Sequence, residues 1–251
     1  MRAIAAREHS IPDQDPEIQQ LAFSYTNIAN DLQLVEPVDY DLCEKYYMKA
    51  LHIGENSPGR TPHSRQFILC NTAFAYYRWG DLDKSLYYIE RAIALHDDCG
   101  AHTTFTLYGL YYYGNIMWAR GEREEAYNIH SQCLNGRVDL QSNAHYTTGV
   151  SFHKMGRLAY ELGRSIESID YLAKAEVTFR DYRDDPGLWP RTCILLGRLM
   201  MKMGSSSLDG MLNPGRMMYD QGLAAARKLR PDIGDGSDDE TLDLLVREVY
   251  R

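Results

Sequence analysis

Aromatic, apolar, basic and small positions recur in the same order along the chain, as in Tyr46-Tyr-Met-Lys-Ala50-Leu, Tyr88-Ile-Glu-Arg-Ala92-Ile and Tyr171-Leu-Ala-Lys-Ala175-Glu. The small residues Ala50, Ala92, Cys133 and Ala175 fall 42, 41 and 42 residues apart. A second class of landmark keeps the same step. Gly80, Gly121, Gly163 and Gly204 are spaced by 41, 42 and 41 residues, and each has a small residue seven before it: Ala73, Gly114, Gly156 and Gly197. Ser85, Ala126 and Ser168 follow the first three glycines by five. Glycine can take the left-handed conformation that ends one helix and lets the next begin. A small residue two turns back on the first helix, facing a small residue on the second, lets two backbones approach closely. The pattern therefore predicts antiparallel helix pairs repeating at a long, fixed period.

The predicted pairs run near 17–34 with 39–54, 62–79 with 82–97, 103–120 with 122–135, 143–162 with 164–181, and 188–203 with 215–229. They define repeats near 17–54, 62–97, 103–137, 143–181 and 188–231. Ala29 is the packing residue of the first repeat, and Pro37 occupies its turn. Asp81 is placed to cap the helix after Gly80, and Glu122 suits the positive end of the next one. The fifth repeat departs from the pattern, because Ser205 to Gly215 reads as an insertion before its second helix, which Pro231 ends. The domain plan is a flexible lead over 1–16, the array over 17–231, and an acidic linker with a capping helix over 232–251. That last helix is predicted at Thr241–Tyr250, with Leu242, Leu245 and Val249 on one face.

The segments Ala73-Phe-Ala-Tyr-Tyr-Arg-Trp-Gly80-Asp-Leu-Asp-Lys-Ser85-Leu-Tyr-Tyr-Ile-Glu-Arg-Ala92 and Gly114-Asn-Ile-Met-Trp-Ala-Arg-Gly121-Glu-Arg-Glu-Glu-Ala126-Tyr resemble tetratricopeptide (TPR) repeats. The usual period of that family is about 34 residues. A longer unit is similar to those of kinesin light chains and of the repeat arrays of fungal and bacterial NTPase-linked receptors. HEAT and armadillo repeats share the length range but not the small–Gly–small register. The resemblance implies an all-α fold, a right-handed superhelical α-solenoid of about five TPR-like helix pairs with a C-terminal capping helix.

The composition changes this picture little. The chain has 251 residues, 44% hydrophobic and 25% charged, with a formal net charge of −8. An acidic balance argues against general nucleic-acid binding, which needs a basic face to displace counterions. Five cysteines, Cys43, Cys70, Cys99, Cys133 and Cys193, stand singly with no Cys-x-x-Cys pair, and no Asn-x-Ser/Thr acceptor occurs. Free thiols in a reducing compartment are expected. The polar N-terminus lacks a signal-peptide apolar run, and no stretch is long and apolar enough to span a membrane. A cytoplasmic protein is expected, with the nucleus as the alternative.

Candidate chemistry is sparse. No Gly-rich phosphate loop, His-Glu-x-x-His or Gly-x-Ser-x-Gly occurs. The one cluster with ligand-like density, His96-Asp97-Asp98-Cys99-x-x-His102, falls in an inter-repeat loop and reads as solvated caps. No catalytic residue, metal or cofactor is expected, and the chain is read as a non-catalytic scaffold or adaptor. Tyr87-Tyr88 and Tyr111-Tyr112-Tyr113 read as inter-helix packing, as do Met200, Met201 and Met203.

In the resembled family the first helix of each pair lines a concave groove. Counting three before, one after and four after each packing residue gives Thr26, Asn30 and Gln33; Cys70, Phe74 and Tyr77; Tyr111, Asn115 and Trp118; His153, Arg157 and Tyr160; and Ile194, Arg198 and Met201. The peptide-binding candidates among them are Asn30, Tyr77, Tyr111, Asn115, Trp118, His153, Arg157, Tyr160 and Arg198. The amides of Asn30 and Asn115 suit a peptide backbone. Tyr77, Tyr111, Trp118 and Tyr160 suit anchoring contacts. Arg157 and Arg198, with His153, Lys154 and Lys202 nearby, make one end basic. The expected partner is a protein or peptide segment, acidic at one end, with no nucleic acid and no membrane. The clamp that reads chaperone tails is not reproduced: Asn30 matches one member, but Phe67, Cys70, Asn71 and Tyr108 do not supply the rest. Two other readings are a regulatory ligand-sensing array and an accessory enzyme or small-molecule carrier using the superhelical cavity. An apolar end at Leu188–Met203 would pair two arrays if left bare.

Overall fold

A computed structural model describes residues 18–56, 61–99, 103–182, 185–204 and 213–246. These residues hold twelve helices and no strand. In chain order they are α1 (Ile18–Leu32), α2 (Tyr40–Asn56), α3 (Pro62–Arg78), α4 (Leu82–Ile93), α5 (His96–Cys99), α6 (Thr104–Ala119), α7 (Arg123–Gln141), α8 (Tyr146–Glu161), α9 (Ser165–Phe179), α10 (Leu188–Met203), α11 (Pro214–Leu229) and α12 (Asp239–Asp243). The chain forms two compact units, 1–129 and 130–251, divided within α7.

The corners between paired helices have one construction. Gly80, Gly121 and Gly163 have φ of 80°, 90° and 76°. At each, the glycine N–H donates to the carbonyl three residues back, and the following N–H donates to the carbonyl five back. Tyr77 and Tyr76, Trp118 and Met117, and Tyr160 and Ala159 accept these bonds. This closure satisfies the last carbonyls of the first helix while turning the chain into the second. Asp81 then accepts from Lys84 N–H at 3.0 Å and caps α4 as expected. Gly204 departs from the set, with φ of −86° and only a helical bond to Met200 O. The segment 205–212, expected to be an insertion, lies outside the described residues.

The small residues act by close approach. The Ser85 hydroxyl, five after its glycine, donates to Ala73 O at 2.7 Å, and Ser168 donates to Gly156 O at 2.7 Å. The second helix of each of these pairs is thus bonded to the backbone notch of the first. At Gly197 a Cβ would lie 2.6 Å from both Gly215 O and Tyr219 N, so α10 and α11 touch through backbone.

Threonine capping boxes start α3 and α6. Thr61 and Ser64, and Thr103 and Thr106, exchange side-chain-to-backbone bonds in both directions. In the N-terminal unit the core gathers Tyr25, Ala50, Ile68, Leu69, Ala73, Ile89, Ala92 and Ile116. In the C-terminal unit Leu172, Leu195, Leu196 and Leu199 form a cluster between α9 and α10. All five cysteines are buried free thiols.

Three boundaries differ from expectation. Helix α4 ends at Ile93, short of the expected end near 97, and His96–Cys99, expected in a loop, forms the short helix α5. Helix α7 runs to Gln141, past the expected end near 135. The last helix starts at Asp239, two residues before the expected start, because Asp238 caps it by accepting from Thr241 N–H at 2.8 Å. Its regular part ends at Asp243; Leu242, Leu245 and Val246 are buried. The expected Val249 lies outside the described residues, as do the lead over 1–16 and His102 of the His96 cluster.

Candidate functional site

Helix geometry sorts the expected groove residues into two classes. At about 100° per residue, positions three before and four after the packing residue point about 40–60° from it, toward the packed side. Position one after points about 100° away, and positions six and two before point about 120–160° away, toward the outer face. The position three before is accordingly interior throughout: Thr26, Cys70, Tyr111, His153 and Ile194 are all buried. The expected groove roles of Tyr111 and His153 are corrected on this ground. Asn115 is buried as well, at 4% exposure.

Asn30 is half-buried and committed to an internal network. Its Nδ2 donates to Asn71 Oδ1 at 3.0 Å, and its Oδ1 accepts from the Tyr47 hydroxyl at 2.5 Å. Gln33 Nε2 donates to the same hydroxyl at 2.6 Å. Burial pushes the Tyr47 phenol up, so it stays a neutral donor. Tyr77, Trp118, Tyr160, Arg157 and Arg198 keep partial exposure. Tyr77 stacks near Phe74 (centroids 6.1 Å apart), and the Arg123 guanidinium lies over the Trp118 ring at 5.4 Å.

In the N-terminal unit the outer-face positions build an aromatic hollow between α3 and α6. Its volume is about 170 Å³, and Phe67, Cys70, Asn71, Phe105, Tyr108 and Tyr112 line it. Phe74 stacks on Tyr112 at 4.6 Å, and Phe67 meets Phe23 and Phe105 at 5.2 and 5.7 Å. Phe67 and Tyr108 are the positions six before their packing residues; Asn71 and Tyr112 are the positions two before. The signal that would have found them is the 100° step itself, applied outward from Ala73 and Gly114.

In the C-terminal unit the chain's own acidic end lies across the first helices. Arg157 on α8 and Arg191 and Arg198 on α10 form a row. The Asp243 carboxylate bridges Arg157 Nη2 at 2.9 Å and Arg191 Nε at 3.0 Å. Asp239 Oδ1 accepts from Arg191 Nη2 at 3.1 Å and from Arg198 Nη1 at 3.4 Å, while Arg198 Nη2 donates to Ser237 O at 2.6 Å. The Arg191 side chain is only 1% exposed. Its position is six before Gly197, the register of Phe67 and Tyr108.

The electrostatics beneath this row are those of a desolvated basic cluster. Burial, with Arg157, Arg191 and Lys154 nearby, holds the His153 imidazole well below its usual range, so it is neutral. Its Nδ1 lies 2.7 Å from Thr192 Oγ1, whose own proton goes to Leu188 O. Thr192 therefore accepts, and His153 carries its proton on Nδ1. Lys154 is pushed down to about 7, first by burial and then by Arg157. The basic end expected from Arg157, His153 and Lys154 is thus carried by arginine, with Arg191 added from outside the expected set.

Another hollow, in the C-terminal unit and about 600 Å³ in volume, is lined in part by Phe152, Ala173, Lys174 and Val177. It is open to solvent: Val177 is largely exposed, and its Lys174–Asp170 pair is an exposed one.

No protein-family model matches the chain, and no curated protein sequence does. Solved structures do match. BtubC (BKLC) from P. vanneervenii superposes over 90% of this chain and 96% of its own, with a TM-score of 0.69 at 17% identity. A kinesin light chain-like protein of nearly identical TPR-like repeats from Podosopora anserina matches over 86% of this chain and 98% of its own, with a TM-score of 0.66 at 16% identity. The fold is the TPR-like repeat fold. A Rap protein complexed with Competence and Sporulation Factor shares it over 91% of this chain, at a TM-score of 0.63 and 15% identity. The TPR-like chain spans 59% of that Rap protein. At these identities the likeness concerns the fold.

Proposed function

We propose that this TPR-like chain is a non-catalytic interaction scaffold that binds a segment of another protein on the outer faces of its first helices. One observation carries the reading. The position six before the packing residue, where Phe67 and Tyr108 line an aromatic hollow in the N-terminal unit, belongs in the C-terminal unit to Arg191, which with Arg157 and Arg198 holds a peptide segment of the chain itself. A face that seats one segment through paired charges has the chemistry to seat others. Aromatic side chains such as Phe67, Phe105, Tyr108 and Tyr112 offer large contact area at little entropic cost. The Rap protein solved with Competence and Sporulation Factor agrees with this reading, as a protein of the same fold that carries a bound factor.

In this reading the binding residues are Phe67, Asn71, Phe105, Tyr108 and Tyr112 in the N-terminal unit, flanked by Tyr77, and Arg157 and Arg198 in the C-terminal unit. Asn30, Tyr111, Asn115 and His153 serve the interior. The test is affinity capture with the full chain, compared with a Phe67→Ala/Tyr108→Ala variant of unchanged helicity. A partner retained by the parent chain and lost by the variant supports the scaffold reading. Capture that ignores the hollow removes it.

A further inference from the structure

Residues 232–246 carry six carboxylates and no basic side chain. They leave α11 through a glycine-bearing link that is tied back by Arg227 Nε to Ile233 O (3.1 Å) and by the Tyr219 hydroxyl to Asp235 O (2.9 Å). The segment then crosses α10 and reaches α8. Asp239 and Asp243, one helical turn apart, alternate with Arg198, Arg191 and Arg157, so that each carboxylate sits between two guanidinium groups. Leu242, Leu245 and Val246 of the same segment are buried.

Resting on the scaffold reading above, we propose that the row Arg157–Arg191–Arg198 is a docking surface for an acidic, leucine-bearing segment of a partner protein, and that residues 232–246 are its resident occupant, displaced when the partner binds. Three observations lead there. The central arginine, Arg191, stands six before its packing glycine, the register at which Phe67 and Tyr108 line an open hollow in the N-terminal unit. The occupant is a helix of five residues on a glycine-bearing link, not the second member of a helix pair. The surface is selective, because a buried guanidinium such as Arg191 tolerates replacement of its partner only by another carboxylate. The occupant therefore displays what the surface reads: two acids four residues apart, followed by apolar side chains.

The experiment uses the full chain and a dye-labelled synthetic peptide of residues 232–251. The parent chain, its surface filled, should bind this peptide weakly. Asp239→Asn/Asp243→Asn, which keeps Leu242, Leu245 and Val246, should bind it about tenfold more tightly or better. Adding Arg198→Ala should abolish the gain, and a peptide carrying the same two Asp→Asn changes should not bind. Equal binding by the parent chain and the variant, or none by either, identifies a fixed cap and overturns the proposal. So does dimerisation of the double variant by light scattering, which would make a second copy the occupant. Should the double variant lose helicity, native-state hydrogen exchange on the parent chain decides. Amides of 239–246 exchanging faster than those of α10 support a displaceable segment, and exchange only through global unfolding overturns it. Partner capture that depends on Tyr108 while peptide exchange is absent would sink this inference and leave the scaffold reading standing.

Discussion

Gly187 and Leu245 approach so closely that a Cβ on Gly187 would overlap the Leu245 carbonyl. Gly187 sits at the start of α10 with φ of −82° and ψ of −30°, a conformation open to any residue. The glycine is thus required by the C-terminal segment and not by the helix it begins. Gly187→Ala is expected to lift residues 239–246 while leaving α10 in place. The cost should be of the order of 1–3 kcal/mol, the usual range for forcing a methyl group into a filled space. Denaturant unfolding gives the size, and hydrogen exchange confined to 239–246 gives the place. A variant with unchanged protection in that segment would contradict the contact.

The corner glycines make a sharper comparison. Gly163 has φ of 76° with open space around its missing Cβ, whereas Gly204 has φ of −86°. Gly163→Ala therefore meets only the left-handed backbone penalty, about 1–2 kcal/mol. Gly204→Ala meets no such penalty, although its Cβ would lie 3.1 Å from Met200 O. The expected order of thermal stability is parent chain, then Gly204→Ala, then Gly163→Ala.

Much of this fold was legible because its determinants are local. Gly80, Gly121 and Gly163 fix their corners by backbone conformation, and Ala73, Gly156, Ser85 and Ser168 fix the helix approach by size. Both are properties of single residues at fixed spacing. The face of each first helix was harder, because it depends on angle. Counting three back from a packing residue lands on the packed side, so Tyr111 and His153 were placed outward and proved interior. Asn115 fails differently: its angle is intermediate, and burial there depends on neighbouring helices. The same step outward from Gly197 reaches Arg191, but its burial was not legible. A buried arginine is intelligible only beside Asp239 and Asp243, about fifty residues away in sequence, and no local pattern announces a charge pair of that range.

Ser168 ties α9 to the Gly156 carbonyl, and Ser85 ties α4 to the Ala73 carbonyl, each at 2.7 Å. Both carbonyls belong to helix interiors and keep their helical partners, so removing the hydroxyl leaves no buried acceptor stranded. Ser168→Ala should cost about 0.5–1.5 kcal/mol, the net worth of one hydrogen bond. Ser168→Leu should cost more, because the bulk would hold α9 away from Gly156. Equilibrium unfolding of the two variants separates the bond from the notch. An alanine variant as damaged as the leucine one would show that the hydroxyl, and not the small size, sets the approach.

Acid sensitivity should arise from His130 and His153, both buried and both held well below their ordinary value of 6.5. Burial is the first cause in each; Lys154 and Arg137 add to it around His130, and Arg157, Arg191 and Lys154 around His153. The unfolded imidazoles take up protons as pH falls through about 6.5, while the folded ones remain neutral. Below that pH the unfolded chain holds more protons, so stability falls on acidification, by up to about 1.4 kcal/mol per pH unit for each histidine. Above it both states are neutral and neither histidine contributes. Lys154, pushed down to about 7, acts in a separate window: it releases its penalty as pH rises from about 7 toward its ordinary 10.5. Substituting His153→Asn keeps a donor toward Thr192 and removes one titrating group. Denaturant unfolding between about pH 7 and pH 5 should then show a smaller loss of stability than in the parent chain. A variant that follows the parent curve over that range would mean that His153 is protonated in the folded chain and that its burial does not set its charge.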